Sequence, residues 1–106
     1  MKKRIWLTFD LSIYSDYEGM YYWLDTMKAK ECGDSSATFS FEYNGDLISE
    51  LTEAIKSNVK LEKKDRIYVM FRNDNGKLKG SFIIGKRKNA PWAEFSLVSG
   101  DDIEEE

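Results

Sequence analysis

Histidine is missing from this chain altogether, and cysteine occurs once, as Cys32. Without histidine there is no imidazole base, no imidazole metal ligand and no Ser–His or Cys–His nucleophile pair. Any chemistry must rest on carboxylates, lysine, tyrosine or the one thiol. A single cysteine forms neither an internal disulfide nor a metal cluster. No cationic neighbour in the sequence activates Cys32, so it reads as an inert thiol. Long apolar runs are absent too: none approaches the roughly 18 residues that cross a bilayer. The opening MKKRIWLTFD begins like a signal peptide, but Asp10 cuts the apolar segment short and no small-residue cleavage site follows. A cytoplasmic protein with no membrane partner is expected, and no small-molecule cofactor is evident.

What is present suits one packed unit. At 106 residues, a 42% hydrophobic share is enough for a single core without staples, and 33% charged residues keep its surface wet. The formal charge of −3 hides an asymmetry, because Asp101–Glu106 (DDIEEE) holds five acids and no base. The remaining body is mildly basic, which permits contact with nucleic acid without implying it. Residues 1–100 are expected to form one domain, and 101–106 an acidic, disordered tail.

Arg4–Leu11 (RIWLTFDL) alternates, with Ile5, Leu7, Phe9 and Leu11 on one side and Trp6, Thr8 and Asp10 on the other. That period of two predicts a strand with one apolar face and one mixed face. Ser15-Asp16-Tyr17-Glu18 has capping-box spacing, and Tyr17, Met20, Tyr21, Leu24 and Met27 follow at helical intervals. Tyr22 and Trp23 fall off that stripe, where they either pack at the core edge or offer an aromatic surface. Gly33-Asp34 reads as a hairpin turn between Ala29–Cys32 and Ser35–Tyr43. Asp46 is placed to cap a second helix over Leu47–Asn58. Arg66–Arg72 (RIYVMFR) alternates again, turning Tyr68, Met70 and Arg72 outward. The turn signal Asn73-Asp74-Asn75-Gly76 leads to a strand near Leu78–Ile84, and Glu94–Val98 reads as one more short strand.

The order is strand, helix, two strands, helix, strand, then one or two extra strands. With one apolar face per element, the economical solution is an α+β two-layer sandwich of the ferredoxin-like type, an antiparallel sheet with both helices on one side. The first and third strands lie centrally, and the fourth flanks the first. The open face then carries Trp6, Thr8, Tyr68 and Met70, and a face with that much apolar surface is expected to be covered, by a second copy of the chain in a homodimer or by its own C-terminal segment.

The run Arg4–Asp10, ending in Phe9-Asp10-Leu11, together with Asp46–Met70 and the hairpin over residues 33–43, resembles the Cas-two-like group. That group comprises the nuclease-fold partner of the CRISPR spacer-acquisition integrase, the virulence-associated protein D toxins and the SinR-like small proteins, the last being nearer than the CRISPR partner. The resemblance implies a ferredoxin-like homodimer. In the group's nucleases an aspartate ending the first strand of each copy meets near the dimer axis and holds Mg2+, and Asp10 matches it by position. It implies a catalytic and metal-binding Asp10 in a nuclease acting on RNA or DNA. An aspartate at a strand end equally caps a turn or makes an interface hydrogen bond, and apart from Arg72 no base is placed beside it. Three functions follow: a homodimeric scaffold module without strong catalysis, a Mg2+-dependent nuclease, or a non-catalytic nucleic-acid binder. For the last, Lys77, Lys79, Lys86, Arg87 and Lys88 form a basic rim that contacts phosphates or simply guards a sheet edge. Lys86, Arg87 and Lys88 are its main nucleic-acid candidates. Trp6 and Tyr68 would stack bases on an open sheet, but the RNP motifs are absent and interface packing accounts for them.

Overall fold

Alternation along the first stretch produces the strand it predicts. In the computed structural model, which describes residues 1–96, β1 runs Lys2–Asp10 and buries Ile5, Leu7 and Phe9 on one side. It is followed by α1 (Tyr17–Thr26), β2 (Lys30–Gly33), β3 (Ser36–Glu42), α2 (Leu47–Asn58), β4 (Arg66–Arg72) and β5 (Leu78–Ile84). The strands form one antiparallel sheet in the order β2-β3-β1-β4-β5. This is the ferredoxin-like two-layer sandwich, with both helices on one face and β5 as an extra strand. The register sets Trp6 opposite Thr38 on β3 and Met70 on β4, and Asp10 opposite Arg66.

Between sheet and helices lies one core. Phe39, Ile5, Leu7, Ile67 and Val69 rise from the sheet to meet Met20, Leu51 and Ile55 from the helices. Trp23 joins them, its ring edge-on to Phe39 at 5.4 Å between centroids. It stands three residues beyond Met20, so it shares the buried face of α1 with Met20 and Leu24. Tyr21 and Tyr22 remain exposed. Helix α2 follows its periodicity, and Asp46 accepts the Ser49 N–H at 2.8 Å as N-cap. The Glu50 carboxylate turns back to the N–H groups of Asn44 (2.9 Å) and Gly45 (2.6 Å). Those bonds hold its carboxyl below its ordinary value.

Two expectations need correction. The N-cap of α1 is Asp16 rather than Ser15: Asp16 Oδ1 accepts the Gly19 N–H at 2.8 Å, while the Ser15 hydroxyl is drawn away to Asp65. The expected strand at Glu94–Val98 does not form over its described part. Pro91–Glu94 is a turn and Phe95 and Ser96 are helical, with the Phe95 N–H donating to the Trp92 carbonyl at 3.0 Å. Residues 97–98, and the tail at 101–106, lie outside the described residues. Among the described residues, no helix is long and apolar enough to cross a membrane.

Candidate functional site

Asp10 ends β1 on the sheet face away from the helices, and its partner is Arg66, not Arg72. The register puts the two residues opposite one another, and Arg66 Nη2 lies 2.6 Å from Asp10 Oδ2. Arg72 stands at the other end of β4 and donates to the Gly76 carbonyl at 2.7 Å. Arg66 has even parity with Tyr68 and Met70, so alternation alone would have set it on this face.

Beside the ion pair, Tyr68 meets Phe82 of β5 edge-on at 4.9 Å between centroids. Two guanidinium groups approach the same Phe82 ring, Arg66 at 5.6 Å and Arg87 at 5.5 Å from its centroid. Thr8, Asp10, Arg66, Tyr68, Phe82 and Arg87 line a shallow cleft of about 330 Å3. Aromatic rings that carry guanidinium cations on their surface offer cation–π contacts and a flat partner for planar groups.

Further along the same face, Trp6, Thr8, Tyr68 and Met70 border one shallow depression of about 240 Å3, together with Cys32 and Ser36. Trp6 is 44% exposed although it sits on a central strand. The Ser36 hydroxyl donates to the Thr8 hydroxyl at 3.2 Å, and Thr8 donates to the Ser35 carbonyl at 3.1 Å, which fixes that edge of the depression. Cys32 is exposed on edge strand β2. The C-terminal segment, as far as it is described, leaves its own aromatics in solvent: Trp92 is 74% exposed and Phe95 68%.

The expected basic rim is split by the fold. Lys77 and Lys79 belong to the β4–β5 turn and its entry into β5, whereas Lys86, Arg87 and Lys88 follow the far end of that strand. Lys79 and Lys86 stand seven positions apart along the extended chain, roughly 20 Å. At the far end the lysines gain companions from another part of the chain. Lys63, Lys64, Arg66, Lys86 and Lys88 all line a cleft of about 560 Å3. Gly85 makes the approach close: at φ +74°, a Cβ there would lie 2.7 Å from the Asp65 carbonyl oxygen and from Arg66 Cγ. Local pattern marks Lys60–Asp65 (KLEKKD) only as a charged connection between α2 and β4. The available signal was topological, since in this fold the entry to β4 and the exit from antiparallel β5 share one end of the sheet.

Asp65 also lines that cleft, with its carboxylate turned into the fold. At 1% exposed it is the buried charged residue among those described. Its Oδ1 accepts from the Ser12 N–H (2.8 Å) and hydroxyl (3.1 Å), and its Oδ2 from the Glu62 N–H (2.7 Å) and the Ser15 hydroxyl. Burial pushes this carboxyl up, but the hydrogen bonds outweigh it and hold the group below its ordinary value. A carboxylate so fully engaged is a structural tie between the β1–α1 and α2–β4 connections. Asp16 ties the neighbouring segments: its Oδ2 accepts the Lys60 N–H at 2.9 Å. That bond, with the one from Gly19, lowers its carboxyl too.

Among the described residues no group of three or more His, Cys, Asp or Glu side chains is arranged to hold a metal ion. Asp10 is paired with Arg66, and any ion it held would share the carboxylate with that guanidinium. The site as built can do two things: pack an apolar patch against another surface, and hold anions at its basic end. Comparison of the chain with protein-family models, with curated proteins and with solved structures finds no significant match. What the molecule itself establishes is a small ferredoxin-like α+β domain with an open, partly aromatic sheet face.

Proposed function

We propose that the chain is a homodimeric interaction module of the Cas-two-like and SinR-like kind, cytoplasmic and without strong catalysis, whose two copies meet through the open sheet face. The observation that carries this is Trp6, 44% exposed on a central strand beside Met70 and Tyr68, with no described segment of the chain laid over it. Covering the remaining surface of one such indole stabilises by about 1–2 kcal/mol, and a two-fold axis through the face would cover two. The strand order and the position of Asp10 at the end of β1 support the kinship. Light scattering on the purified chain should give twice the 12.4 kDa chain mass at micromolar concentration. Trp6→Glu with Met70→Glu should give a folded monomer of unchanged circular dichroism. A wild-type chain that stays monomeric removes the proposal.

A second function, a Mg2+-dependent nuclease acting on RNA or DNA, has one observation in its favour. The Asp10 side chain is 64% exposed on the face that a dimer would share. Mg2+ asks for only one or two protein carboxylates beside waters and substrate phosphates, so paired Asp10 residues would suffice. The 2.6 Å bond from Arg66 competes for the same oxygen. Incubation with RNA and DNA, with Mg2+ or with chelator, separates the two functions. Metal-dependent cleavage abolished by Asp10→Asn supports the nuclease, and absence of cleavage removes it.

A further inference from the structure

We propose that the end of the sheet where β4 begins and β5 finishes is a binding site for the phosphodiester backbone of a nucleic acid, built jointly by the α2–β4 connection and the segment after β5. Five cations, Lys63, Lys64, Arg66, Lys86 and Lys88, line one cleft, and Arg87 lies just outside it against Phe82. Only Arg66 of these six makes a salt bridge among the described residues. The one acid lining the cleft, Asp65, is buried with both oxygens turned inward to donors of Ser12, Ser15 and Glu62, and among the described residues it forms no salt bridge with the lysines. Among the described residues the cleft lining is therefore net positive, five cations against Asp65 and the Asp10 that pairs with Arg66, although the whole chain is acidic at −3. Phosphates are the ligands that lysine clusters meet most readily, and they supply most sequence-independent nucleic-acid affinity. The neighbouring Arg87, held over the Phe82 ring, gives the strand's bases a guanidinium plane to lie on.

This charge is more than edge protection. Edge-guarding lysines stand along a strand, as Lys79 does on β5. Lys63 and Lys64 precede β4 and the Lys86–Lys88 run follows β5, so neither group lies on an exposed edge. What brings them together is the close backbone packing at Gly85.

The test is fluorescence anisotropy of the full chain with labelled oligonucleotides of roughly 20 nucleotides, single-stranded and duplex, across a salt series. With about four phosphates neutralised on a single strand, the log–log salt slope should be near −3, a loss of roughly 50-fold between about 50 and 200 mM salt. Lys63→Gln with Lys64→Gln, and separately Lys86→Gln with Lys88→Gln, should each weaken binding about tenfold and flatten the slope by about 1.4. Lys77→Gln with Lys79→Gln, at the opposite end, should leave both unchanged. Glutamine keeps the side-chain stem, and a circular dichroism melt confirms that each variant folds. The proposal is overturned by lack of saturable binding at low salt, by an effect confined to one cleft pair, by an equal effect of the distal pair, or by polyglutamate competing as well as the oligonucleotide. Comparison of the single strand with the duplex identifies which form the site takes.

Discussion

Tyr68 lies across β5 directly over Gly80, leaving no space for a side chain beneath it. A Cβ at position 80 would meet the phenolic oxygen and sit 2.9 Å from Cζ. The two residues are near neighbours across the β4–β5 ladder, where Tyr68 pairs with Phe82 and Met70 with Gly80. The glycine provides the flat floor on which the ring rests while its edge meets Phe82.

Gly80→Ala should therefore displace the ring and cost about 1–2 kcal/mol, the usual range for overpacking at a yielding site. In a Tyr68→Ala background the same change should be neutral or stabilising, because alanine favours a strand over glycine. Urea midpoints of the four chains close the double-mutant cycle, and a coupling below about 0.5 kcal/mol would contradict the packing described.

Gly19 sits inside α1, where helix propensity alone makes alanine better by about 1 kcal/mol. Packing reverses that sign. A Cβ at 19 would lie 2.8 Å from Asp16 Cγ and 2.9 Å from the Asn58 carbonyl oxygen. Asp16 has no freedom to move, because its two oxygens hold the N–H groups of Gly19 and Lys60. Gly19→Ala should destabilise by about 1–3 kcal/mol, and a thermal melt showing a more stable variant would refute this.

Those two glycines mark how far the sequence could be read. Alternation in RIWLTFDL and RIYVMFR, and the helical spacing from Leu47 onward, set the strands, the second helix and the layer order, because each depends on neighbours two to four residues away. Trp23 escapes this pattern, since a stripe through Tyr17 and Tyr21 leaves it aside although it shares a buried face with Met20. Pairings across the chain left no trace in local pattern. Arg66 reaches Asp10 across 56 residues, and Lys63 joins Lys86 only once β5 has returned antiparallel to β4. The Ser15–Asp65 contact likewise removed a capping box that local spacing alone favoured.

Asp65 gives stability a defined pH dependence. Its folded carboxyl lies below its ordinary value, so its contribution is complete above the unfolded pKa, near 4, and is lost as pH falls through the folded value. Asp65→Asn places an amide NH2 among groups that already donate, and should cost about 2–4 kcal/mol at neutral pH. The gap between variant and wild type should narrow in the acid range as the native carboxylate protonates. A gap that stays constant from neutral pH to about pH 2 would mean that the charge is not what the site holds.

Asp10 neutralises one of the guanidinium groups at the basic end. Asp10→Asn should free Arg66 for phosphate and tighten oligonucleotide binding by about two- to fivefold at low salt, an advantage that fades as salt screens it. Stability should shift by less than about 1 kcal/mol, as for other solvent-facing pairs. Weaker binding in the variant would instead assign the carboxylate a direct part in holding the ligand.

Gly85 lets geometry and charge be varied independently. The two lysine-bearing segments approach one another where Gly85, with no side chain, lies against the Asp65 carbonyl and Arg66, and none of the lysines takes part in that contact. Every lysine around the cleft can be exchanged without touching that contact, whereas a single methyl group at residue 85 would press the walls apart while leaving the total charge unaltered.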